Sequence, residues 1–416
     1  MARRQVAIVG YGTGGQAAAL ALARAGHQIQ VFERVPDPGP VGAGFLLQPT
    51  GLQALWRLGL LEAACALGAP VARLHGETAE GRAVMDMRYA DLDPRLTGIG
   101  MQRGALFALL HRAIAGEQGI ALRSDCAIVE LDCEAGRIRD AQGRWHGPYD
   151  LVVVADGAAS TLRAQVGDAR IDRPYPWGAL WCLLPEADWP WTCELRQRYR
   201  LAREMAGLLP VGSMPGDPVR KLSFFWSLPV AGFDAWRAAG RDAWLHQLGA
   251  LWPQARERLG GDFDVACLAR AAYRDAIPQR WWRGRAVLLG DAAHAMSPQL
   301  GQGVNMALVD AVALAAWLAV APALDAALHG YERERRAHLA AYHRYSRWLT
   351  SLFQSGRDGM ARLRDLAFLR AGRMPMARGH MLRVLSGTQH GWWRRHRLED
   401  GFIAALDGAL HASRMQ

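Results

Sequence analysis

The feature that most constrains the fold is a strand–turn–helix–strand pattern at the start of the chain. Residues 5–15 (QVAIVGYGTGG) begin as an apolar strand and run into three glycines spaced as GxGxxG. A helical pattern follows, then a glycine that ends the helix, and then a second strand that ends at Glu33. In this context the glycine spacing is the dinucleotide-binding fingerprint. The sequence therefore predicts a Rossmann-like domain.

The fingerprint assigns a task to each of these residues. Gly10 makes the tight turn, Gly12 lets a pyrophosphate approach the backbone, and Gly15 allows close packing of helix on strand. Glu33, followed by Arg34, lies where a ribose hydroxyl needs an acceptor. A glycine-rich turn without a ligand is the alternative, but the strand, helix, second strand and terminal acid together favour a nucleotide site.

A second glycine-rich segment, residues 288–305 (LLGDAAHAMSPQLGQGVN), also has a strand–loop–helix pattern. Asp291 can accept hydrogen bonds from sugar-like hydroxyls, while Pro298, Gly301 and Gly303 bring bare backbone close to a flat ring. The helix that opens here offers unpaired N–H groups and a positive dipole end to negative charge. We interpret His294, which lies among small residues, as structural.

A third segment, residues 149–163 (YDLVVVADGAASTLR), is another apolar strand, and it ends in Asp156-Gly157. Asp156 is a candidate ligand-binding acid, although Asp at this place also favours capping of the next helix. Arg163 is a candidate contact for a nicotinamide nucleotide, but a structural or solvent-facing arginine is the commoner case.

The three segments, in this order and at these separations, resemble the class A flavoprotein monooxygenases, the single-chain aromatic hydroxylases typified by p-hydroxybenzoate hydroxylase. The resemblance extends from Val6 to about Leu314. Within that family, GAGFLLQPTG at 42–51, LLPVG at 208–212 and SFFWSL at 223–228 look most similar to the salicylate and urate hydroxylase branch.

The resemblance implies an α/β fold, with a discontinuous Rossmann-like FAD-binding domain, an inserted β-rich substrate domain and a helical C-terminal region. It assigns to FAD the residues Gly10, Gly12, Gly15, Glu33, Arg34, Arg103, Asp156, Gly157, Asp291, Pro298, Gly301, Gly303, Val304 and Asn305. Among these, Arg103 matches an arginine that contacts FAD from a helix start, and Asp156-Gly157 would serve both FAD and the nicotinamide donor. Pro298 and the backbone of 301–305 would flank the isoalloxazine.

The predicted domains follow from the same reasoning. The FAD-binding domain would comprise residues 1–75, 103–170 and 276–325. The substrate domain would comprise residues 76–102 and 171–275, and residues 326–416 would form the C-terminal helical region.

The reaction implied by the resemblance is hydroxylation of a small aromatic or heteroaromatic substrate with O₂ and NADH or NADPH, through a C4a-hydroperoxyflavin. No protein nucleophile is needed, and the sequence does not identify a catalytic base. Tyr199 and Trp226 are candidate substrate contacts on strands, where packing is the commoner role of such residues.

Two alternatives remain open at this stage. One is a membrane-associated flavin hydroxylase or epoxidase of a larger apolar substrate, such as a quinone precursor. The other is a flavoprotein that serves as a binding module, or a simple NAD-binding protein.

Composition bears on location and partners. The chain has 416 residues, six cysteines without CxxC or zinc-ligand spacing, and a net charge of +10; this predicts reduced thiols in the cytoplasm and no metal site. Fifteen arginines against four acids lie in residues 331–397. We interpret them as a solvated helical face, and weak contact with an anionic membrane is the alternative. Neither a nucleic-acid partner nor a secretory signal is expected, and the protein would be a monomer or homodimer.

Overall fold

The structure is a computed structural model that describes residues 3–39, 42–261, 263–391 and 394–415. In this part of the chain the strands are β1 (Gln5–Val9), β2 (Gln28–Phe32), β3 (Gly44–Leu47), β4 (Ala69–Val71), β5 (Arg73–Thr78), β6 (Ala83–Arg88), β7 (Gly98–Gln102), β8 (Ile120–Arg123), β9 (Ile128–Asp132), β10 (Arg137–Asp140), β11 (Trp145–His146), β12 (Leu151–Val154), β13 (Ala169–Pro185), β14 (Glu194–Arg200), β15 (Glu204–Pro210), β16 (Lys221–Pro229), β17 (Ala269–Pro278), β18 (Trp282–Arg283), β19 (Ala286–Leu288), β20 (Gln389–His390) and β21 (Arg394–Arg395).

The α-helices of the same residues are α1 (Thr13–Arg24), α2 (Pro49–Arg57), α3 (Leu61–Leu67), α4 (Arg103–Ala115), α5 (Arg163–Val166), α6 (Phe233–Leu251), α7 (Pro253–Arg258), α8 (Asp291–His294), α9 (Gly303–Val320), α10 (Leu324–Phe353), α11 (Asp358–Arg373), α12 (Pro375–Leu385) and α13 (Asp400–Met415). Trp392 and Trp393, which belong to the predicted basic region, lie outside the described residues.

The nucleotide sheet has six strands in the order β18-β19-β12-β1-β2-β8. All neighbours pair in parallel except β18, which is antiparallel to β19. The central strands are continuous apolar runs, as expected for parallel strands covered on both faces, and Val6, Ala7 and Ile8 are fully buried. The predicted Rossmann-like unit is confirmed, with α1 starting at Thr13 directly after the glycine turn.

A seven-stranded sheet forms the second layer, in the order β17-β13-β16-β15-β14-β5-β6. This sheet provides the inserted β-rich part that the resemblance predicts. Its strand β15 (EMAGLLP) combines small and apolar side chains without alternation. The strands between Arg73 and Arg88 join this sheet. The predicted domain limits stay a prediction.

The two faces of the seven-stranded sheet pack against different helices. On the outer face, Phe224 and Trp226 pack edge-to-face on Trp244 of α6, with ring centroids 6.1 and 6.4 Å apart. On the inner face, Tyr199 packs on Phe353 of α10 at 5.1 Å. The inner face also meets β3, since the backbone N–H of Gly44 donates to Ser223 Oγ at 3.1 Å. The inner face is therefore the one turned toward the nucleotide-binding part of the molecule.

Helix α9 is long and apolar enough to cross a membrane by composition alone, but 61% of its residues are buried inside the protein. It packs against α1, α2 and α10. The helix also carries two fully buried polar side chains, Asn305 and Asp310, each with hydrogen-bond partners. These contacts make α9 a core helix of the fold.

Candidate functional site

The first glycine turn places backbone close to the neighbouring strand and leaves one side open. Gly10 has φ +102°, and a Cβ there would lie 2.5 Å from the carbonyl oxygen of Ala155; a Cβ on Gly15 would lie 2.0 Å from the oxygen of Gly10. Gly12, by contrast, faces open space. It is also the N-cap of α1 and has no side-chain cap, so the first N–H groups of the helix face that space. This is the arrangement that a pyrophosphate requires.

Glu33 lies at the end of β2, as predicted. Its two carboxylate oxygens accept the backbone N–H groups of Tyr11 at 2.8 Å and Val35 at 3.0 Å. Each oxygen keeps a second lone pair for a ligand hydroxyl. Arg34, the next residue, is exposed to solvent.

Arg103 begins α4, and its backbone N–H donates to the oxygen of Ala43 at 2.9 Å. Its exposed side chain passes Gly42, where a Cβ would lie 2.8 Å from Arg103 Cδ, and its guanidinium carbon is 5.8 Å from the centre of the Phe45 ring. Glycine is required at 42 because its φ is +97° and because the arginine passes so close. Arg103 thus lies between the nucleotide loops and the seven-stranded sheet.

Asp156 follows β12, and its Oδ1 is buried without a hydrogen-bond partner in the described part of the chain. Burial raises the pKa of this carboxyl above its ordinary value, although a hydrogen bond with Ser160 acts in the opposite direction. A buried acceptor without a partner is unusual in a folded protein and indicates a missing donor. Gly157 beside it, with φ +87°, faces open space.

The Gly290–Asp291 loop connects β19 to the short helix α8. Gly290 is the N-cap with φ +62°, and Asp291 projects an exposed carboxylate. A Cβ on Gly303 would lie 3.6 Å from Asp291 Oδ1, which places this carboxylate beside the start of α9. The three glycine-rich segments converge around α1: a Cβ on Gly14 would lie 2.9 Å from Leu289 Cδ2 and 3.5 Å from Ala307 Cβ, and a Cβ on Gly10 would lie 2.5 Å from the oxygen of Ala155.

Between Pro298 and Asn305 the backbone is open to a ligand, whereas the side chain of Asn305 already has hydrogen-bond partners. Pro298 starts a short 3₁₀ turn, and Gly301 is left-handed with open space around it. Val304 packs against the core. The Asn305 amide is fully buried: Oδ1 accepts the N–H of Gln48 at 2.8 Å, and Nδ2 donates to the oxygen of Leu46 at 3.1 Å. Asn305 therefore fixes the β3–α2 turn, and only its backbone is free for a flavin ring.

Arg163 joins two of the predicted loops. This arginine is only 2% exposed. It donates to the backbone oxygens of Ala158 at 2.9 Å, Asp291 at 3.1 Å and Ala292 at 2.7 Å. Its nearest carboxylate, Asp172 Oδ2, is 3.4 Å away. The structural interpretation of Arg163 is the one that these contacts support.

Asp310 holds the same loop from the other side. Its Oδ2 accepts the N–H of Gly290 at 2.9 Å and contacts His294 Nε2 at 2.6 Å, and its Oδ1 accepts from Arg335 Nε. His294 is fully buried in this pair, as expected for a structural histidine. Arg335 in turn contacts His338, whose Nε2 lies 2.8 Å from the oxygen of Gly387.

The predicted substrate residues Tyr199 and Trp226 are not brought together. Trp226 is 2% exposed on the outer face, while Tyr199 is 2% exposed on the inner face, where its hydroxyl donates to Gln197 at 2.7 Å. Side chains on opposite faces of one sheet cannot line one inner pocket.

The inner face presents a different aromatic set toward the flavin loops. The indole of Trp181 donates to the Tyr273 hydroxyl at 3.1 Å and lies 5.2 Å from Phe225. Tyr175 donates to Thr350 Oγ1 at 2.7 Å. Burial raises the pKa of both phenols, Tyr175 and Tyr273, so each keeps its proton at neutral pH and can act as a donor. These residues form the inner aromatic set: Trp181, Phe225, Tyr175 and Tyr273.

The residues present fit FAD on observations of this structure. The unpartnered Asp156 oxygen, the uncapped start of α1 and the open space at Gly12, Gly157 and Gly301 all border the same loops. Sequence reasoning missed Arg163 and Asp310 as organisers of these loops. The only local signal was their charge within apolar or small-residue surroundings.

Comparison with known proteins identifies the family. Residues 3–346 match the family model described as FAD binding domain. The chain is 30% identical to the aurachin C monooxygenase/isomerase of Stigmatella aurantiaca, over 79% of this chain and 84% of the relative. It is 29% identical to a FAD-dependent urate hydroxylase of Klebsiella pneumoniae, over 79% and 85%.

A solved structure, a probable FAD-dependent monooxygenase from Pseudomonas aeruginosa, has a TM-score of 0.75 and 25% identity; it covers 89% of this chain and 100% of that protein. The chain belongs to the class A FAD-dependent aromatic monooxygenases. The binding-module interpretation and the membrane-associated alternative receive no support from these matches.

Proposed function

We propose that this flavin monooxygenase uses NADH or NADPH and O₂ to hydroxylate a small aromatic or heteroaromatic compound. The observation that carries the proposal is the convergence of three loops, with the buried and unpartnered Oδ1 of Asp156, beneath a sheet face that bears the inner aromatic set. The names of the relatives, which include a urate hydroxylase and a 3-amino-4-hydroxybenzoate 2-monooxygenase, support a small ring compound as substrate.

The residues that would hold FAD are those predicted from the sequence. The start of α1 at Gly12 would take the pyrophosphate, and Glu33 would accept from the ribose. Asp156 and Asp291 would accept hydroxyl hydrogen bonds, and the backbone around Gly301 would border the ring. When bound, FAD supplies the transfer of electrons from the nicotinamide to O₂ and of one oxygen atom to the substrate.

The protein's own part is positioning and exclusion of water. Arg163 and Asp310 fix the Gly290–Asp291 loop from both sides, which sets the distance between the acidic acceptor and the start of α9. Arg103 stands exposed at the boundary between the loops and the sheet, where its positive charge acts on Tyr273. We assign Arg103 to the edge of the bound flavin.

The inner aromatic set is the proposed substrate surface. Trp181, Phe225 and Tyr273 offer ring faces and edges to a flat molecule, and aromatic contacts of this kind fix ring orientation. The protonated phenol of Tyr273, which accepts from Trp181, offers a donor to a ring substituent, whereas the Tyr175 hydroxyl already donates to Thr350. Tyr199 lies on the same face, but it is occupied by Gln197 and Phe353.

Further properties belong to the proposal as well. Six free cysteines support a reducing compartment, and we place the enzyme in the cytoplasm. We expect a monomer or homodimer, with any contact of residues 331–397 with anionic membranes being weak.

The test is anaerobic reduction of the purified flavoprotein by NADPH and by NADH, with and without a panel of phenols and heteroaromatic acids. We expect one donor to bleach the flavin and one compound class to accelerate bleaching, with a hydroxylated product after oxygen is admitted. Reduction by neither donor under any condition would refute NAD(P)H dependence. Reduction that no aromatic compound accelerates would refute substrate-gated hydroxylation.

A further inference from the structure

A cavity of about 530 Å³ lies at the end of β16 that is remote from β3. Four tryptophans border it, and small residues of α6 and the turn before it keep it open. The tryptophans are Trp177, Trp226, Trp236 and Trp244, and the small residues are Gly232, Ala235, Ala239 and Ala243. None of them belongs to the inner aromatic set or to the predicted flavin loops.

A hydrogen-bonded partition separates this cavity from the flavin loops. Ser227, which lines the cavity, accepts a hydrogen bond from Gln354 Nε2, and Gln354 Oε1 accepts one from Gln299 of the Pro298 turn. Gln354 is 3% exposed. A molecule in the cavity would therefore lie behind this polar wall, not against the flavin.

The lining has the chemistry of an aromatic-ligand site. Its volume falls within the range of small-molecule pockets, and indole walls suit a flat apolar ring. Trp236 and Trp244 meet edge-to-face with ring centroids 6.3 Å apart, so their indoles form one continuous aromatic wall of the cavity.

The α6 wall of the cavity can adjust to a ligand. Helix α6 contains a non-helical residue, Gly240, with φ +79° and ψ 178°. The half before this break carries Trp236, and most of its residues are exposed, whereas the half after it carries the buried Trp244. A change at Gly240 would move Trp236 relative to the buried Trp244, whose ring it now meets edge-to-face at 6.3 Å.

The charged side chains at the rim of the cavity already have ion-pair or hydrogen-bond partners. Arg203 binds both oxygens of Asp358 at 2.9 and 3.0 Å, and Glu204 accepts from Arg200 at 3.0 Å and from Gln247 at 2.9 Å. A charged ligand would have to displace these pairs, so an uncharged ring is favoured.

We propose that this tryptophan cavity is a second binding site for an uncharged, flat aromatic molecule of one or two rings, separate from the flavin-side substrate surface. The site would take the same chemical class as the substrate, on the other side of the Ser227–Gln354–Gln299 partition. Binding there requires no turnover and no nicotinamide.

The probe is indole, titrated calorimetrically into the FAD-loaded protein without nicotinamide while the flavin absorbance is followed. We expect a saturable site whose occupation leaves the flavin spectrum unchanged. The double variant Ala239→Leu/Ala243→Leu fills the cavity and should weaken this site more than about tenfold. The matched control Ala238→Leu/Ala250→Leu adds the same side chains to α6 away from the cavity and should bind as the wild type does.

A second variant, Trp236→Leu, tests the cavity by a different substitution, in case the double variant does not fold. Both variants must keep the wild-type flavin spectrum and melting temperature. Trp236→Leu should also lose the indole site whose occupation leaves the flavin spectrum unchanged. Equal indole affinity in wild type and filled variant would overturn the proposal. So would binding that always perturbs the flavin spectrum, or no binding to the wild type up to the solubility of indole.

Discussion

Two buried charges of opposite sign hold the Gly290–Asp291 loop, and they do so by different chemistry. Arg163 approaches from the Asp156–Gly157 side and donates to neutral backbone carbonyls, including that of Asp291. Asp310 approaches from α9 and accepts the N–H of Gly290, but it also contacts the His294 ring and pairs with the charged Arg335. The arginine organises geometry, whereas the aspartate is part of a buried ionic cluster.

The pKa shifts of Arg163 and Asp310 reflect this difference in partners. Burial lowers the pKa of Arg163, and Asp172 compensates only in part. Burial would raise the pKa of Asp310, but His294 and Arg335 hold it below its ordinary value. Removal of Asp310 would leave a buried guanidinium uncompensated, while removal of Arg163 would leave unpaired carbonyls. The first defect costs more free energy of unfolding.

The largest expected effect is therefore that of Asp310→Ala. We expect it to lower the free energy of unfolding by about 3–5 kcal/mol, because Arg335 loses its buried counter-charge. Urea unfolding of the flavin-free protein measures this. The double variant Asp310→Leu/Arg335→Met removes both charges and should recover a large part of the loss. An equal loss in single and double variants would show that the ionic cluster is not what Asp310 contributes.

Arg163→Met tests the arginine that holds the Gly290–Asp291 loop from its other side. Loss of donors to three carbonyls should cost roughly 2–3 kcal/mol of unfolding free energy. Since it frees the two loops that would hold FAD, the FAD dissociation constant should rise more than about tenfold. Quenching of FAD fluorescence measures the affinity. Arg163→Lys keeps the charge but loses the planar guanidinium group. Its FAD affinity should therefore lie between those of the wild type and Arg163→Met. Wild-type FAD affinity in Arg163→Met would contradict the loop-clamp role.

His338 contacts Arg335 of the Asp310 cluster, and its burial predicts that the free energy of unfolding depends on pH. Burial and then the Arg335 charge hold the pKa of His338 well below its ordinary value of 6.5. Above pH 6.5 the ring is neutral in both states; below it only the unfolded state gains the proton, so stability falls by about 1.4 kcal/mol per pH unit.

Between pH 7.5 and 5.5 the wild type should therefore lose about 1.4 kcal/mol more than His338→Gln does. His329→Gln removes an exposed histidine of the same helix and should follow the wild type. Parallel pH profiles for wild type and His338→Gln would exclude His338 as the titrating group.

The smallest stability effect is expected from Asp156→Asn, on the Arg163 side. Because burial raises the pKa of Asp156, its charge destabilises the folded, flavin-free protein at neutral pH. The asparagine should raise the unfolding free energy by less than about 1 kcal/mol, and the gain should shrink as the pH falls below the raised pKa. FAD affinity should fall at the same time. Asp132→Asn, a change at an exposed turn acid, should alter neither quantity. Lower stability of flavin-free Asp156→Asn would show that Asp156 Oδ1 has a stabilising partner in the flavin-free protein.

The sequence was sufficient for the fold of the nucleotide part, because the constraints are local. Gly10, Gly15 and Gly42 are required by φ values or close approaches that no other residue tolerates, and such positions leave a readable spacing. The alternation of apolar strands and helices then predicts the parallel sheet.

The sequence was insufficient where partners are remote. Arg163 contacts a carbonyl 128 positions away, and Asp310 pairs with an arginine on the next helix, so neither role has a local pattern. Every residue of SFFWSL is buried, and one face carries Phe224, Trp226 and Leu228 while the other carries Phe225 between two serines. The strand itself gives no sign that the first face meets α6 and the second meets the nucleotide-binding part, because both partners are remote in sequence. For Asn305, the side chain's partners lie on the β3–α2 turn, about 257 positions away.

This chain belongs to a family that inserts one atom of molecular oxygen into an aromatic ring, and we expect it to do the same. The most direct test is turnover under ¹⁸O₂ with the nicotinamide donor and the compound that accelerates flavin reduction, followed by mass spectrometry of the product. We predict one ¹⁸O atom in the new hydroxyl group and none when the label is in water instead. A product with oxygen from water, or oxidation of the nicotinamide without a labelled product for any aromatic compound, would contradict the account.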